Sequence, residues 1–367
     1  MQNDIVLVIV VATALAFDFT NGFHDTANVV ATSISTRAMA PRLAVAYAAA
    51  LNFAGAFISL AVAATVAADV VSADAITPTV VFAGLIGAIS WNLITWYFGL
   101  PSSSSHALIG GVVGSAFAAA GPAAILGDGV VGKVLVPAVV APIVAFAVGA
   151  LAILVCYRVI GRLRPGHVGR GYRLGQVVSG GLLALAHGTN DAQKTMGVIT
   201  LALIANGTLA EGANPPTWVI VSAASAIALG TYSGGWRIIR TMGTRIIRMD
   251  PAQGFSASGA GAAVILASSH YGFPLSTTQV ISGGVMGAGA GKRISAVRWG
   301  VAGNIVAAWL MTIPAAAAIG AATYGVTRIF GTGALGPVLV TVASLSLIVA
   351  LFSRRAQRGA PVPASSG

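Results

Sequence analysis

The chain has 367 residues, of which 56% are hydrophobic and only 8% are charged, against roughly a quarter charged in soluble domains. Apolar stretches long enough to cross a bilayer recur along its whole length, which excludes a soluble domain and predicts an all-α polytopic membrane protein. The net charge of +11 comes from basic residues between these stretches, as the positive-inside rule requires, and this placement argues against a nucleic-acid partner. The single cysteine, Cys156, excludes a disulfide framework and thiolate metal clusters.

The first half of the chain is predicted to contain four membrane elements within residues 1–160. They are an N-terminal span, a span at 42–67, a helical hairpin at 79–119 that turns near Pro101, and a span at 134–157. An Arg-rich linker at 161–173 follows and is interpreted as cytoplasmic.

The second half, residues 174–330, repeats this order of elements. It is predicted to contain spans at 174–206 and 217–235, a hairpin at 255–290 and a span at 299–326. An additional transmembrane helix within 331–353 has no partner in the first half, and a cytoplasmic tail occupies 354–367.

Charge placement predicts the orientation of these elements. With the linker inside, 17 of the 20 basic residues lie on the cytoplasmic side, and the exceptions are Lys133, Arg328 and Lys194. The N-terminus is then outside and the C-terminus inside. Each element of the second half runs opposite to its counterpart, so the sequence predicts an inverted-topology repeat.

Two motifs occur twice. Asn21–Asn28 (NGFHDTAN) returns in the second half as His187–Lys194 (HGTNDAQK), and Gly99–Ser105 returns there as Gly272–Thr278. In each motif pair, the two copies are separated by a nearly equal length of chain, which indicates duplication of a whole half. Twinned polar interruptions in an apolar chain are typical of the binding site of a secondary transporter.

Three acidic residues fall at membrane depth, where an ionisable side chain costs at least a few kcal/mol: Asp18, Asp25 and Asp191. Asp25 and Asp191 are repeat-related. Because a span of about 33 residues is too long for a straight crossing, we expect each helix to break at its motif. Freed carbonyls, the carboxylate and the Asn amides would then bind Na⁺ or a proton; a carboxylate that caps a broken helix is the alternative. For Asp18, a purely structural role is as well supported as a functional one, because the equivalent residue in the second half is Ala184.

The second motif pair places hydroxyl groups at the start of two Gly-rich helices, after Pro101 and Pro274. The hydroxyl residues in register are Ser103, Ser104, Ser105, Ser276, Thr277 and Thr278. Helix N-termini present free N–H groups and the positive end of the helix dipole. Two such ends that face each other would hold a tetrahedral oxyanion without arginine, whereas N-capping is the alternative for either tract alone.

Four histidines lie near the motifs: His24, His106, His187 and His270. Hydrogen bonding to neighbouring side chains is favoured over a proton relay. A metal site that combines His24 and His187 with the two aspartates is the weakest alternative, because these histidines are not repeat-equivalent.

Lys194 replaces Asn28 of the first half and shares a helix face with Asp191, three residues earlier. Three roles are open for it: an ion pair with Asp191, contact with the substrate anion, or an extended conformation that reaches the membrane interface.

With these motifs in place, the chain resembles the inorganic phosphate transporter (PiT) family, and in particular bacterial low-affinity phosphate permeases. The resemblance rests on Phe17–Asn28, His187–Gly197 and the two Pro-hydroxyl turns, and covers about residues 5–330. It implies symport of phosphate, or of a neutral metal–phosphate complex, with H⁺ or Na⁺ across the plasma (inner) membrane. It also implies an inverted-repeat fold, a homodimer and no cofactor beyond the coupling ion.

The resemblance further implies roles for single residues. Phosphate would be held by the hydroxyls of the two tracts, Ser103–Ser105 and Ser276–Thr278. The cation would be held or coupled by Asp25, Asn28, Asn190 and Asp191. Supporting positions are Asn21, His187 and Lys194.

Three other functions remain as alternatives. Because some members of the family carry sulfate, a sulfate permease is the nearest of them. An intramembrane aspartyl hydrolase that uses Asp25 and Asp191 as an acid–base dyad, and a passive anion channel, belong to other classes. We predict a transporter and not an enzyme, with phosphate, a cation and the lipid bilayer as its partners and with no bound metal of its own.

Overall fold

The computed structural model describes residues 2–160, 165–331 and 333–358, in which the regular secondary structure is helical apart from an isolated bridge between Val71 and Ile125. The helices are α1 (Gln2–Ser35), α2 (Pro41–Gly55), α3 (Ala61–Ala68), α4 (Pro78–Phe98), α5 (Ser104–Ala120), α6 (Gly127–Gly129), α7 (Val136–Ile160), α8 (Pro165–Ala205), α9 (Thr217–Ser233), α10 (Trp236–Arg240), α11 (Pro251–His270), α12 (Thr277–Lys292), α13 (Trp299–Ile329) and α14 (Leu335–Arg358). Short π-helical segments, Val130–Leu135 and Thr241–Arg245, lead into α7 and follow α10.

Four of the described helical segments are long and apolar enough to cross a membrane: Asp4–Ser35, Pro78–Phe98, Gly127–Val159 and Trp299–Ile329. A fifth is added if α9 and the segment Trp236–Arg245, which are bent by 59° relative to each other, form one span. α8 is also long, but its motif side chains are polar and buried. The chain is therefore a helical multi-pass membrane protein.

The ends of the predicted segments differ in detail. Residues 165–173 of the predicted linker are the first turns of α8, while 161–164 lie outside the described residues. The additional C-terminal helix is α14, which continues to Arg358, and the rest of the predicted tail, 359–367, is also outside the described residues. The predicted hairpins correspond to α4 with α5 and to α11 with α12, and the two helices of each pair pack together.

The prediction that the two motif helices break is wrong. α1 runs without interruption for 34 residues and α8 for 41, each through its motif. The hydroxyls of Thr26 and Thr189 donate to their own helix carbonyls at Gly22 and Leu185, at 2.6 and 2.8 Å. These groups are satisfied within helical geometry. Oxygen ligands on α1 and α8 must therefore come from side chains.

The interruptions lie instead in the helices beside α1 and α8. The predicted single span at 42–67 is divided into α2 and α3, and α9 bends into the segment that follows it. At the start of α3, the backbone N–H groups of Val62 and Ala63 donate to Gln193 Oε1, at 2.9 and 3.3 Å. A motif side chain of α8 thus satisfies the free donors of a helix N-terminus, which stabilises the break.

Two hydrophobic clusters meet at the motifs. Along α1, Phe17 belongs to one buried cluster and Ala27 to the other. Along α8, the order is reversed, since Ala186 belongs to the second cluster and Ala192 to the first. The polar motif residues therefore lie between two apolar cores, in the middle of the bundle.

Close contacts through glycine recur in both halves. A Cβ atom at Gly22 would lie 2.2 Å from the carbonyl oxygen of Ile227 on α9, and one at Gly188 would lie 2.1 Å from that of Asn52 on α2. The helix pairs α1–α9 and α8–α2 therefore approach through the same position of the repeated motif. Because backbone atoms occupy the space, no larger residue fits without separating the helices.

Gly188→Ala is therefore expected to destabilise the protein by about 1–3 kcal/mol, the usual cost of overpacking. The measurement is the thermal unfolding midpoint of detergent-purified protein. The matched control is Gly259→Ala in α11, where nothing lies within 4 Å of the added Cβ and a more stable helix is expected. Equal midpoints for the two variants would contradict the close approach at Gly188.

Candidate functional site

The site is a buried polar region between α1 and α8. Asp18, Asn21, Asp25 and Asn28 lie on one face of α1, and each is at most 1% exposed. His187, Asp191 and Lys194 form the corresponding face of α8 and are equally buried. The two stripes occupy equivalent places in the two halves. Charged side chains at this depth require partners.

On the first-half side, hydrogen bonds connect Asn28 to Asp25 through Thr278, a residue of the second half. Asn28 Nδ2 donates to Thr278 Oγ1 at 2.8 Å, and Thr278 Oγ1 donates to Asp25 Oδ1 at 3.3 Å. His24 Nδ1 lies 2.7 Å from the same carboxylate oxygen. A hydroxyl of the second tract therefore contacts the carboxylate of the first motif directly.

His24 is positioned by α4 and by the first hydroxyl turn. Its Nε2 lies 3.2 Å from Thr95 Oγ1 and 3.4 Å from Ser102 Oγ, while Ser104 Oγ lies 3.5 Å from Nδ1. Ser102 Oγ donates to Thr95 Oγ1 at 2.7 Å. The favoured role for this histidine, hydrogen bonding to motif neighbours, agrees with this arrangement.

On the second-half side, Lys194 forms an ion pair with Asp191 Oδ1, as one of its three predicted roles required. Its Nζ also donates to Ser105 Oγ and to the Leu275 carbonyl, both at 2.6 Å. Ser105 Oγ donates in turn to the Leu275 carbonyl at 3.1 Å. A hydroxyl of the first tract thus contacts the motif of the second half.

The other oxygen of Asp191 has different neighbours. Thr277 Oγ1 donates to Asp191 Oδ2 at 3.0 Å, and His187 Nε2 lies 3.0 Å from the same oxygen. His187 Nδ1 lies 3.2 Å from Asn52 Oδ1, so a side chain of α2 positions this ring. Asn52 was not singled out from the sequence, because nothing in its local pattern distinguishes it from the apolar helix around it.

Within each hydroxyl tract, the first residue differs in its contacts from the two that follow it. Ser103 and Ser276 are N-caps: they accept from the backbone N–H groups of His106 and Gln279 at 3.1 and 3.3 Å. For these two residues the capping alternative therefore applies. The next two hydroxyls of each tract lie in the first turns of α5 and α12 and contact the motif helices. These residues are Ser104, Ser105, Thr277 and Thr278.

Several buried oxygens near the motifs have no hydrogen-bond partner in the described part of the chain. On α1 they are both carboxylate oxygens of Asp18, Asn21 Oδ1, Asp25 Oδ2 and Asn28 Oδ1, and on α8 they include Asn190 Oδ1. The oxygens on α1 lie on one face of that helix. Buried polar atoms are normally paired, and carboxylate and amide oxygens together are ligands for a hard cation. Asp18, for which a structural role was an equal alternative, belongs to this unpaired set.

The fold brings the two motif aspartates together. One ligand atom each from Asp25, His187 and Asp191 lie within 4.8 Å of one another, a group that could hold a metal ion. The metal site considered from the sequence combined His24 and His187 with both aspartates. The group found in the fold contains His187 and both aspartates but not His24.

Asn190 is hydrogen-bonded to α11 and to the turn that follows it. Its Nδ2 donates to Ser269 Oγ at 2.8 Å and to the Phe273 carbonyl at 3.2 Å, in the turn between α11 and α12. Phe273 also lines a cavity of about 400 Å³ together with Asp69, Asp128 and Lys133. Lys133 Nζ lies 5.1 Å from the centre of the Phe273 ring.

Comparison with known proteins identifies the family. The model of the Phosphate transporter family matches residues 21–320. The chain belongs to the Phosphate transporter family. A probable low-affinity inorganic phosphate transporter of Mycobacterium bovis is 56% identical over 326 residues, which are 89% of this chain and 78% of the relative. A protein of the same description from Rhizobium meliloti is 47% identical, over 87% of this chain and 95% of the relative.

A solved structure has the same fold. It is described as the sodium-dependent phosphate transporter, and it superimposes with a TM-score of 0.78 over 88% of this chain and 99% of its own, at 23% sequence identity. Family membership confirms the prediction of a phosphate transporter of the PiT family and rules against the hydrolase alternative.

Proposed function

We propose that this phosphate transporter is a secondary-active symporter that imports inorganic phosphate together with H⁺ or Na⁺. One observation carries the proposal: the hydroxyl tracts and the motif carboxylates are in direct contact. Thr278 donates to Asp25 at 3.3 Å and Thr277 donates to Asp191 at 3.0 Å. A ligand bound at either group changes the environment of the other, which is the physical requirement for coupling.

Phosphate binds between the starts of α5 and α12 in this proposal. Each tract places hydroxyl groups and backbone N–H groups of a first helical turn at the centre of the bundle, where all six hydroxyl residues are at most 3% exposed. Donors at helix N-termini favour an anion through both the hydrogen bonds and the helix dipole. An oxyanion held this way needs no arginine, and Lys194 places a basic side chain in direct contact with the first tract.

The coupling cation binds at the motif carboxylates. Asp25 with Asn28, and Asp191 with Asn190 on α8, are the residues for this role, and Asn21, His187 and Lys194 support them. Without a cation, the carboxylates repel an incoming anion across a few ångströms in a region of low dielectric. A cation that neutralises them removes this repulsion, so cation and phosphate bind cooperatively and move together.

Transport then requires one half to rock against the other, with the N-terminus outside and the C-terminus inside the plasma (inner) membrane. The recurring contacts support an inverted repeat. The pairs Gly22–Ile227 and Gly188–Asn52 join equivalent helices of opposite halves. Gly110–Ile313 and Gly283–Pro142 do the same for α5 with α13 and for α12 with α7. A homodimer, which the family resemblance implies, is part of the same proposal.

A metal–phosphate complex is a second candidate substrate. The group formed by Asp25, His187 and Asp191, with ligand atoms within 4.8 Å of one another, favours it. Imidazole and carboxylate groups suit several divalent metals. In this version the metal travels as cargo with the phosphate and does not stay in the protein.

The test is uptake of ³²P-phosphate into proteoliposomes that contain the purified protein, with Na⁺ and pH gradients imposed separately. Accumulation driven by one gradient is expected and names the coupling ion. Repeating the assay with EDTA, and with Mg²⁺ restored, decides whether a divalent metal is required, and sulfate as competitor tests the substrate. Uptake that depends on neither gradient would contradict symport and favour a passive channel.

A further inference from the structure

Lys194 occupies a position that is unusual for a lysine. Its side chain is 1% exposed, and Nζ contacts the Asp191 carboxylate, the Ser105 hydroxyl and the Leu275 carbonyl. An ammonium group has three donors and no acceptor, so three oxygen partners satisfy it completely. A carboxylate, a hydroxyl and a carbonyl together are also a set of ligands that a hard metal cation takes.

The repeat relates each oxygen partner of Lys194 to an oxygen of a residue assigned to the first-half motif or its contacts, where no lysine is present. The repeated motif relates Asp191 to Asp25 and Lys194 to Asn28, and the repeated turn relates Thr278 to Ser105 and Leu275 to Ser102. Asp25 and Asn28 each have one side-chain oxygen without a hydrogen-bond partner in the described ranges. At the equivalent place in the second half, the ammonium fills that need.

We infer that Lys194 is a built-in cation: its ammonium group takes the place of a mobile coupling cation at Asp191, so that the mobile cation binds only on the first-half side, at Asp25. This inference rests on the proposed symport and specifies where its cation binds. The two halves then have different tasks. Asp191 and Lys194 form a permanent neutral pair, while Asp25 is neutralised only when the coupling cation is present.

The charges at membrane depth agree with this division. At membrane depth, Asp18 and Lys194 are the charged residues of the motif helices without a counterpart of the same charge, since Ala184 and Asn28 lie at their equivalent positions. Both unpaired carboxylate oxygens of Asp18 belong to α1, as does the unpaired oxygen of Asp25. The buried carboxylate oxygens that have no hydrogen-bond partner in the described residues therefore lie on the first-half helix. The paired charge lies on α8.

A different role for Lys194, direct contact with phosphate, predicts other consequences. Lys194 donates to Ser105 in the first hydroxyl tract, so it lies beside the proposed anion site. A lysine that only binds phosphate affects the phosphate half-saturation concentration and leaves the number of cations carried per phosphate unchanged. The charge moved per phosphate therefore separates the two roles.

The experiment measures this charge as the reversal potential of ³²P-phosphate flux in proteoliposomes, whichever ion is coupled. Lys194→Asn gives the second half the residue of the first. Because it frees Asp191, Ser105 and the Leu275 carbonyl for a mobile cation, we expect about one additional positive charge per phosphate. The double variant Asp191→Asn with Lys194→Asn removes the neutral pair, and we expect it to retain the wild-type ratio.

The outcomes are distinct. An unchanged ratio in Lys194→Asn would overturn the inference, and so would a ratio lowered by about one charge in the double variant, because Asp191 would then bind a mobile cation in the wild type. If Lys194→Asn does not fold, the double variant alone decides, since it leaves no unpaired buried charge. If phosphate flux through the wild-type protein depends on no cation gradient, the proposed symport itself is contradicted.

Discussion

Replacing Asp25 by Asn is expected to lower cation-driven phosphate uptake by at least about 100-fold, a loss of roughly 3 kcal/mol of coupling. The amide retains the shape of the side chain and the hydrogen bond from Thr278 to its oxygen, but it carries no charge for the coupling cation to neutralise. An NH₂ group would replace the unpaired Oδ2 of Asp25, and this group cannot bind a cation. The measurement is gradient-driven ³²P uptake at matched protein density.

Asp250→Asn is the matched control for this carboxylate-to-amide change. Asp250 caps α11 and pairs with Lys292 at 3.0 Å at the protein surface. Asparagine is an equally good N-cap, and loss of a partly exposed ion pair costs at most about 1 kcal/mol. Uptake by this variant is expected to match the wild type. Wild-type uptake by Asp25→Asn would remove Asp25 from the coupling mechanism.

Replacing Ser104 and Thr277 by Ala is expected to raise the phosphate half-saturation concentration. Each hydroxyl lies in the first turn of its helix and is 1% exposed, and the two are equivalent residues of the repeat. A hydrogen bond to a charged ligand contributes about 1.5–3 kcal/mol, which corresponds to about a 10- to 100-fold change for each residue. The maximal rate should change less, because the motif carboxylates remain.

Ser115→Ala controls for the loss of a buried hydroxyl. Ser115 lies in the same helix as Ser104, is fully buried, and donates to the Val80 and Val112 carbonyls, away from the motifs. Its half-saturation concentration is expected to be unchanged. If both single variants and the double variant of Ser104 and Thr277 also keep the wild-type value, these residues do not bind phosphate.

Local sequence information offered features that depend on neighbouring residues of one helix, but it did not choose among the alternatives. The spacing of three residues places Asp191 and Lys194 on one helix face, and an ion pair was one of three roles left open for Lys194. N-capping was the alternative to phosphate binding for the hydroxyl tracts, and the structure shows caps at Ser103 and Ser276. Repetition of the motifs added the pairing of Asp25 with Asp191, which the fold brings together with His187.

The predicted helix breaks show where this reasoning fails. Span length alone suggested that α1 and α8 must be interrupted, but both motifs lie inside continuous helices. The interruption between α2 and α3 depends on Gln193, whose side chain accepts hydrogen bonds from residues far away in the chain, Val62 and Ala63. This distant partner stabilises the start of α3, and no pattern in the neighbouring sequence indicates it.

The sequence by itself therefore determined the membrane class, the repeated motifs, the family and the set of polar residues in the motifs, because composition, repetition and helical spacing are local properties. The tertiary structure decided which of these residues touch. It placed Thr278 of the second half on Asp25, and Ser105 of the first half on Lys194. These contacts join side chains from opposite halves of the chain, and their geometry depends on how closely the glycine-lined helices pack.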